Sequence, residues 1–420
     1  MLDIKFIREN PDLVKEAARK KRIDFSVDEL IKVDDKRREL ISVVETARAK
    51  QNEVSDKIAR LAGEEREKVI AEMKELKESL QKDEEKLKKV ESEWWTLMLQ
   101  VPNIPDISVP EGDSDENNQE IRKWGEIPKF EFDLKSQVEL LDSLKLADFV
   151  RGAKVSGSRS YFLKNDAVLL TMALWHFAID LLKKSGFEDV FFAPSLAREE
   201  SFIGTGWLPQ GKDEVYQTQD DLLLTGTSEV SMMAYHKDEV LDISELPKTY
   251  VALSPCYRRE AGSYGKDTKG LVRVHEFYKL EQIVLCEANH EESVSWHEEI
   301  LRNSEKIMQD LGIPYRVVVN CGGDLGLGQV KKYDIEAWIP SEGKYRETHS
   351  ASYFHDFQTR RLNIRYRDKD GKIRFAHSLN NTAIATPRLL VPLLENYQQA
   401  DGSVLIPEVL RQYIGKDRIS

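Results

Sequence analysis

Between Val27 and Val101 the chain contains no proline and a single glycine, Gly63, and its apolar residues recur at steps of three and four. One series runs Leu30, Val33, Leu40, Val44, Ala47, Val54, Ile58, Leu61, interrupted at Arg37 and Gln51. A second runs Met73, Leu76, Leu80, Leu87, Val90, Trp94, Leu97, broken at Asp83. Alternating steps of three and four keep every member on one side of a helix, the spacing of a heptad stripe. Gly63 lies between the stripes, where a glycine can close a helix. The pattern predicts a long antiparallel helical hairpin over residues 1–101, with a short amphipathic segment, residues 4–18, at its base. Each long helix would hold about 33 to 36 residues and reach roughly 50 Å. Such a hairpin buries one thin seam, so its outer surface is free to meet something large. A second copy could pair with it as a coiled coil. Alternatively, Lys50, Lys57, Arg60, Lys74 and Lys77 could meet a phosphate backbone. Carboxylates are interleaved with these bases, so charge does not decide between the two.

The pattern breaks at residues 102–110 (PNIPDISVP), where three prolines precede a polar, acidic run over 111–120. Prolines and polar residues in this density predict a linker, residues 102–124. From residue 125 to 420 helical and strand periodicities mix. Ala167, Leu170, Ala173, Leu174, Phe177, Ala178 and Leu181 share one face of a helix over 165–186, which Gly186 stops. Strands are predicted at 188–194, 222–225, 249–253, 274–285, 315–319, 332–338, 361–366 and 375–379, and a last helix at 388–397. Helices are too sparse between the middle strands for repeated βαβ units. The fold class is therefore α+β, a mostly antiparallel sheet beside a helical arm. No GxGxxG follows a strand and no GxxxxGK[ST] occurs, so Rossmann and P-loop readings fail.

At 420 residues, with 40% hydrophobic and 32% charged residues, the chain can build more than one domain with a real core. No run of eighteen apolar residues predicts a membrane span, and the charged start MLDIKFIREN has no apolar leader core. Cys256, Cys286 and Cys321 form no CxxC pair, which disfavours a zinc or disulfide framework and suits a reducing cytoplasm. A net charge of −12 opposes non-specific nucleic-acid binding but leaves room for a local basic face.

That face has a candidate. Residues 255–281, PCYRREAGSYGKDTKGLVRVHEFYKLE, gather Arg258, Arg259, Glu260, Lys266, Lys269 and Arg273 around Gly262, Gly265 and Gly270. Glycines let a loop approach a ligand closely, and arginine forks match phosphate oxygens. A basic loop between two strands suits a polyphosphate; a charged surface hairpin is the plainer alternative. Period-two alternation places Arg273, His275, Phe277, Lys279 and Glu281 on one strand face, a set odd for a core and sensible for a ligand floor.

The helix ending in GF…P, the basic hairpin and a late arginine near a helix resemble the three motifs of class II aminoacyl-tRNA synthetases. With the helical arm, the whole chain resembles the bacterial-type seryl-tRNA synthetases. PNIPDISVP, GTG with LPQ over 204–210, LPKTYVALSPCYRREAGSYGKDTKGLVRVHEF, DFQTRRLNIRYR and LLENYQQADGSVLIPEVLRQYIG match that family in order. The resemblance implies activation of L-serine with ATP to seryl-adenylate, then transfer of the seryl group to the 3′ end of tRNA-Ser. It implies that the arm grips the long variable arm of the tRNA, and that the chain works as a cytoplasmic homodimer, with Pro194 at the dimer interface. Whether selenocysteine tRNA is also charged stays open.

Residue by residue, the resemblance assigns Arg258 to the α-phosphate and Arg388 to the γ-phosphate as the catalytic pair. It assigns Arg259, Glu260, Val274, Phe277, Glu347, Thr348, His349 and Ser350 to ATP, with Phe277 stacked on adenine and Glu347 and Ser350 on Mg²⁺. Serine would be held by Arg258, by the turn Thr227, Ser228, Glu229, and by Glu281, Asn380 and Thr382. For the turn, an ordinary helix cap is the alternative; for Phe277, core packing is. The chain departs from the family run after Glu347, where His349 and Tyr353 stand, and from glycines replaced by Ala383 and Pro387; His349 could titrate near the phosphates, but packing is the reading its residue type favours. Pro387 would suit a first helical position. A paralogue that activates an amino acid and loads a carrier protein, and a non-catalytic RNA-binding relative, remain as other functions; no exchange of pyrophosphate into ATP with any amino acid would leave only the second.

Overall fold

The computed structural model describes the chain except residues 59–62, 263, 264, 266 and 268, and the side chains of residues 56–58. The expected roles of Arg60, Leu61 and Lys266, and of the Lys57 and Ile58 side chains, fall outside the described residues. Contacts divide the chain into two compact units.

One unit comprises residues 2–19 and 23–102. Its long helices are α3 (Val27–Ile58) and α4 (Gly63–Met98). Two short helices, α1 (Ile4–Glu9) and α2 (Pro11–Lys20), replace the single segment expected at the base, because Pro11 cannot continue a helix from Asn10. Arg8 of α1 pairs with Asp34 and Asp35 of α3 at 2.9 and 2.6 Å. Leu30, Val33, Val44, Leu80 and Val90, all members of the two stripes, are buried. Arg48 bonds Glu84 at 2.7 Å, and the Arg37 guanidinium lies 4.4 Å from the Trp94 ring centre. As one index rises the other falls, so α3 and α4 run antiparallel. The break in the first stripe at Arg37 is thus filled by a cation on an aromatic face. Gly63 opens α4, with φ 67°, where it was expected to close α3.

The other unit contains residues 103–420. Its centre is an eight-stranded sheet built from β1 (Gln119–Trp124), β2 (Asp189–Phe192), β3 (Lys248–Tyr257), β4 (Glu276–Cys286), β5 (Tyr315–Val319), β6 (Lys331–Ile339), β7 (Lys344–His355) and β8 (His377–Thr386). The spatial order is β1-β5-β6-β7-β8-β4-β3-β2, antiparallel throughout except for the parallel β2–β3 pair. On one face, Leu253, Leu280, Val284, Val317 and Ile335 meet α5 (Asp166–Lys184) and α6 (His290–Asp310) through Leu170, Leu174, Ile300 and Ile307. On the other, Tyr250, Ala252, Ile283 and Leu285 meet α7 (Ser228–Tyr235) and α8 (Phe357–Leu362) through Met232, Met233 and Leu362. The second face is covered over only part of its area, and the uncovered part is the site.

Several elements differ from expectation. The stretch read as a linker contains β1, whose six residues are all exposed; backbone pairing with β5 makes it a strand, and no alternation marks it. The polar run KYRETHSASYFH is the unforeseen strand β7. Residues 361–366, read as one strand, divide into the end of α8, Asn363 in the left-handed region, and a short strand Arg365–Arg367. The last predicted helix starts later, at α9 (Leu390–Asn396), so Pro387 and Arg388 lie in the turn before it. A further short helix, Glu408–Ile414, follows it. Among the described residues no helix is long and apolar enough to cross a membrane, and all three cysteines are free and buried.

Candidate active site

Antiparallel register decides which polar residues share the open face. Glu281 on β4 stands opposite Thr382 on β8 and Ala252 on β3. Two residues along, Ile283 faces Asn380, so Thr382 and Asn380 project to the same side. On β7, Ser350 stands opposite Asp334 of β6. A bulge follows, in which Thr348 has no partner of its own and Glu347 pairs with Glu336. Bulges of this kind re-aim side chains, and here Glu347, Thr348 and Ser350 all line one cleft.

The rest of that cleft comes from distant segments. Arg258 and Glu260 follow β3, Arg273, Val274, Phe277 and Lys279 lead into and along β4, and Arg388 follows β8. Arg258 donates from Nη2 to the Gly226 carbonyl at 3.3 Å, and its guanidinium lies 5.3 Å from the Phe277 ring centre and 5.7 Å from that of Trp207. Its Nε is buried with no hydrogen-bond partner. A buried, unsatisfied N–H on a guanidinium is a vacancy for an anionic oxygen. Arg388 approaches Glu347 at 3.8 Å and donates to the Val272 carbonyl at 3.3 Å. Glu260 and Asp267 hold Arg273 at 3.2 and 3.3 Å, and Asp267 also pairs with Arg346 at 3.1 Å, so the loop is tied down by ion pairs.

Charge in the cleft is strongly coupled. Desolvation works against ionisation of Glu347, but Lys332, Arg388, Arg258 and Lys279 outweigh it and hold its carboxyl below the ordinary range. Deeper in, Glu281 is 2% exposed and pairs with Lys279 at 2.6 Å, with the Thr382 hydroxyl 3.5 Å away. Burial raises its pKa, and Lys279 opposes that rise. Glu229 is pushed up to about 7 by burial, with Gln358 opposing and Glu281 adding. Of these two buried carboxylates, Glu281 has a lysine partner and Glu229 has a neutral amide donor.

Not every expected residue reaches the cleft. Arg259 is exposed and does not line it. His349 stands opposite Ile335, which faces α5 and α6; its ring is buried, bonded to Thr348 at 2.8 Å, and burial lowers its pKa to about 4. Its face of β7 is the helix-packed one, so it is a core histidine and not a phosphate ligand. His275 precedes β4, where alternation has not begun; it bonds the Arg258 carbonyl and lines a different, largely apolar cavity of about 790 Å³ behind β4. That cavity is the larger of the two, but the converging guanidinium and carboxylate groups are in the cleft. Ser228 points into the fold, bonding the Ala252 carbonyl at 3.3 Å. Thr227 caps α7, accepting from the Glu229 N–H at 3.3 Å, and that cap is what presents Glu229. Sequence reading overlooked Trp207, Lys332 and Gln358 as neighbours of these groups. For Lys279, alternation from Phe277 already pointed to the cleft.

Comparison with known proteins gives the family of the chain and its overall fold. Residues 213–397 match the tRNA synthetase class II core domain (G, H, P, S and T), and residues 1–105 match the seryl-tRNA synthetase N-terminal domain. The chain is 48% identical over 419 residues to the serine–tRNA ligase of Deinococcus radiodurans, covering 99% of this chain and 98% of the relative. It is 45% identical to that of Dictyoglomus turgidum, over 100% of this chain and 99% of the relative. Among solved structures it superposes on seryl-tRNA synthetase from Pyrococcus horikoshii complexed with ATP, with a TM-score of 0.90 at 42% identity, covering 100% and 99% of the two chains. The cytoplasmic enzyme from Naegleria fowleri in complex with AMP gives 0.87 at 34%, with the same coverage.

Proposed function

Because the chain belongs to the seryl-tRNA synthetase family, with the activity of a serine–tRNA ligase, we propose that the cleft joins L-serine to ATP and passes the seryl group to tRNA-Ser. The convergence of Arg258, Arg388, Phe277, Glu347 and Lys279 on one cleft, with Lys279 paired to the buried Glu281, carries this reading. The serine carboxylate attacks the α-phosphorus, the bond to pyrophosphate breaks, and seryl-adenylate forms. Arg258 neutralises charge that develops on the α-phosphate oxygens during attack. Arg388 holds the γ-phosphate, and Glu260 and the Val274 backbone bound the nucleotide, with adenine on Phe277. Glu229 takes the ammonium group. Glu281 accepts a hydrogen bond from the serine hydroxyl, with Thr382 and Asn380 closing the pocket.

The donors present suit Mg²⁺. Glu347, held ionised by its basic neighbours, and the Ser350 hydroxyl offer hard oxygens on the cleft floor, as that cation requires. Bound there, Mg²⁺ would supply charge neutralisation to the phosphates. Glu281→Ala should raise the serine KM by about 10-fold or more in ATP–pyrophosphate exchange and narrow the margin over alanine, since a hydroxyl–carboxylate contact is worth ~1–3 kcal/mol. Absence of serine-dependent exchange in the unaltered protein, or an unchanged serine KM in the variant, would refute the assignment.

The homodimer belongs to the same proposal. Val190 and Phe192 on β2 and Leu169 on α5 are exposed apolar residues, with Phe192 86% exposed. The strand β2 is also an end of the sheet. Apolar patches on a sheet edge mark association surfaces. Sedimentation should return the mass of two chains at micromolar concentration; the mass of one would exclude the dimer.

A further inference from the structure

Glu229 has a partner that no motif predicted. The Gln358 Nε2 donates to its Oε1 at 2.6 Å, across 129 residues of sequence. The same nitrogen donates to the Thr205 carbonyl at 3.2 Å, and the Gln358 carbonyl accepts from the Ser378 hydroxyl at 2.8 Å. Gln358 is 1% exposed and Ser378 fully buried. A backbone carbonyl can only accept, so the amide nitrogen has to face Thr205 and Glu229 and the oxygen has to face Ser378. Turning the amide over would set oxygen against oxygen at two contacts. The side chain is therefore locked in one orientation, with its donor committed to the carboxylate.

We propose that Gln358, locked between Ser378 and the Thr205 carbonyl, positions Glu229 to receive the ammonium group of serine. This rests on the reading of Glu229 as the ammonium ligand and adds a positioning residue to it. The surroundings of Glu229 support the assignment. The charged groups acting on Glu229 are Glu281 and Lys279 of β4; Lys279 is paired with Glu281 at 2.6 Å, which leaves Glu229 without a salt bridge among the described residues. Gln358 and the Trp207 indole add neutral donors that favour the ionised carboxylate and bring no positive charge of their own.

The sign follows. Glu229 is already pushed up to about 7. Without the Gln358 donor it rises further, so a larger share is protonated, and unable to pair with ammonium, at neutral pH. Gln358→Met keeps the volume and removes the donor. In serine-dependent pyrophosphate exchange its serine KM, taken as a ratio to wild type at each pH, should be about 10-fold raised near pH 7 and fall toward about 2-fold near pH 8.5, as the carboxylate ionises. The ATP KM should stay within about 2-fold and kcat within about 3-fold, because the nucleotide half of the cleft is untouched. Ser378→Ala, which frees the amide without removing it, should shift the serine KM in the same direction by less, and carries the test if the methionine variant fails to fold. A serine KM ratio that is flat with pH, or a loss confined to kcat, would overturn the proposal. Glu229→Gln separates the two levels. If it leaves the serine KM unchanged, the ammonium reading itself fails; if it raises the serine KM while both Gln358→Met and Ser378→Ala match wild type, only the positioning role fails.

Discussion

Arg258→Lys should lower kcat for serine-dependent ATP–pyrophosphate exchange by about 10³-fold, with a smaller change in the ATP KM, the size of effect seen when one preorganised donor to a developing oxyanion is lost. The residue is held from several sides: Nη2 is tied to the Gly226 carbonyl, and the guanidinium plane lies near the Trp207 and Phe277 rings. Those contacts aim the fork and leave the buried Nε unsatisfied. Lysine keeps the charge but not the plane, the second donor or the ring contacts. Its ammonium would also be free to pair with Glu347 or Glu281, both of which feel the Arg258 charge. The result would be a cleft that still attracts ATP and no longer meets the charge that grows during attack. A kcat within 10-fold of wild type would remove Arg258 from the transition state.

Deleting residues 27–101 should leave pyrophosphate exchange within about 3-fold of wild type while kcat/KM for charging tRNA-Ser falls by about 10²-fold or more, the scale of losing several backbone contacts. The reason is where the two chemistries sit. Every group argued to touch serine or ATP lies in residues 205–388, inside one compact unit. The helical arm is a separate unit with its own buried stripe and internal ion pairs. Its outer faces carry Lys50, Lys74 and Lys77, all exposed, on a scaffold rigid enough to present them. Exchange needs no tRNA, so it reports the cleft alone; charging needs both. Full-rate charging by the shortened chain would show that the arm is not the grip on the RNA.

How much of this was legible differs from element to element. The arm was readable because a heptad stripe is a local signal repeated many times, and one stripe member out of place, Arg37, finds a local answer on Trp94. Strand β4 was readable because its alternation is regular from Phe277 onward. Strand β7 was not. Glu347, Thr348 and Ser350 line the cleft, and the buried Thr348, His349 and Ser352 are polar residues that carry hydrogen bonds, so no hydrophobic alternation marks the strand. His349 stands at an ATP position of the motif, and its burial bears out the packing reading instead. The bulge at Thr348 resets the alternation between Glu347 and His349, and a bulge leaves no mark in composition. His275 was misjudged because alternation was extended upstream of where the strand begins.

The amino-acid sequence alone determined the two materials of the chain, the heptad arm and the mixed body, and supplied the ordered basic, acidic and hydroxyl groups that the reaction draws on. It did so because helix periodicity and residue chemistry are properties of neighbours in sequence. Only the tertiary structure decided that Arg258 and Arg388 share a cleft, that His349 turns away from it, and that Gln358 reaches Glu229. Those relations are set by which strand lies beside which and by where register slips: the first and last join segments more than a hundred residues apart, and the second turns on a bulge between neighbouring strands, so no local pattern connects any of them.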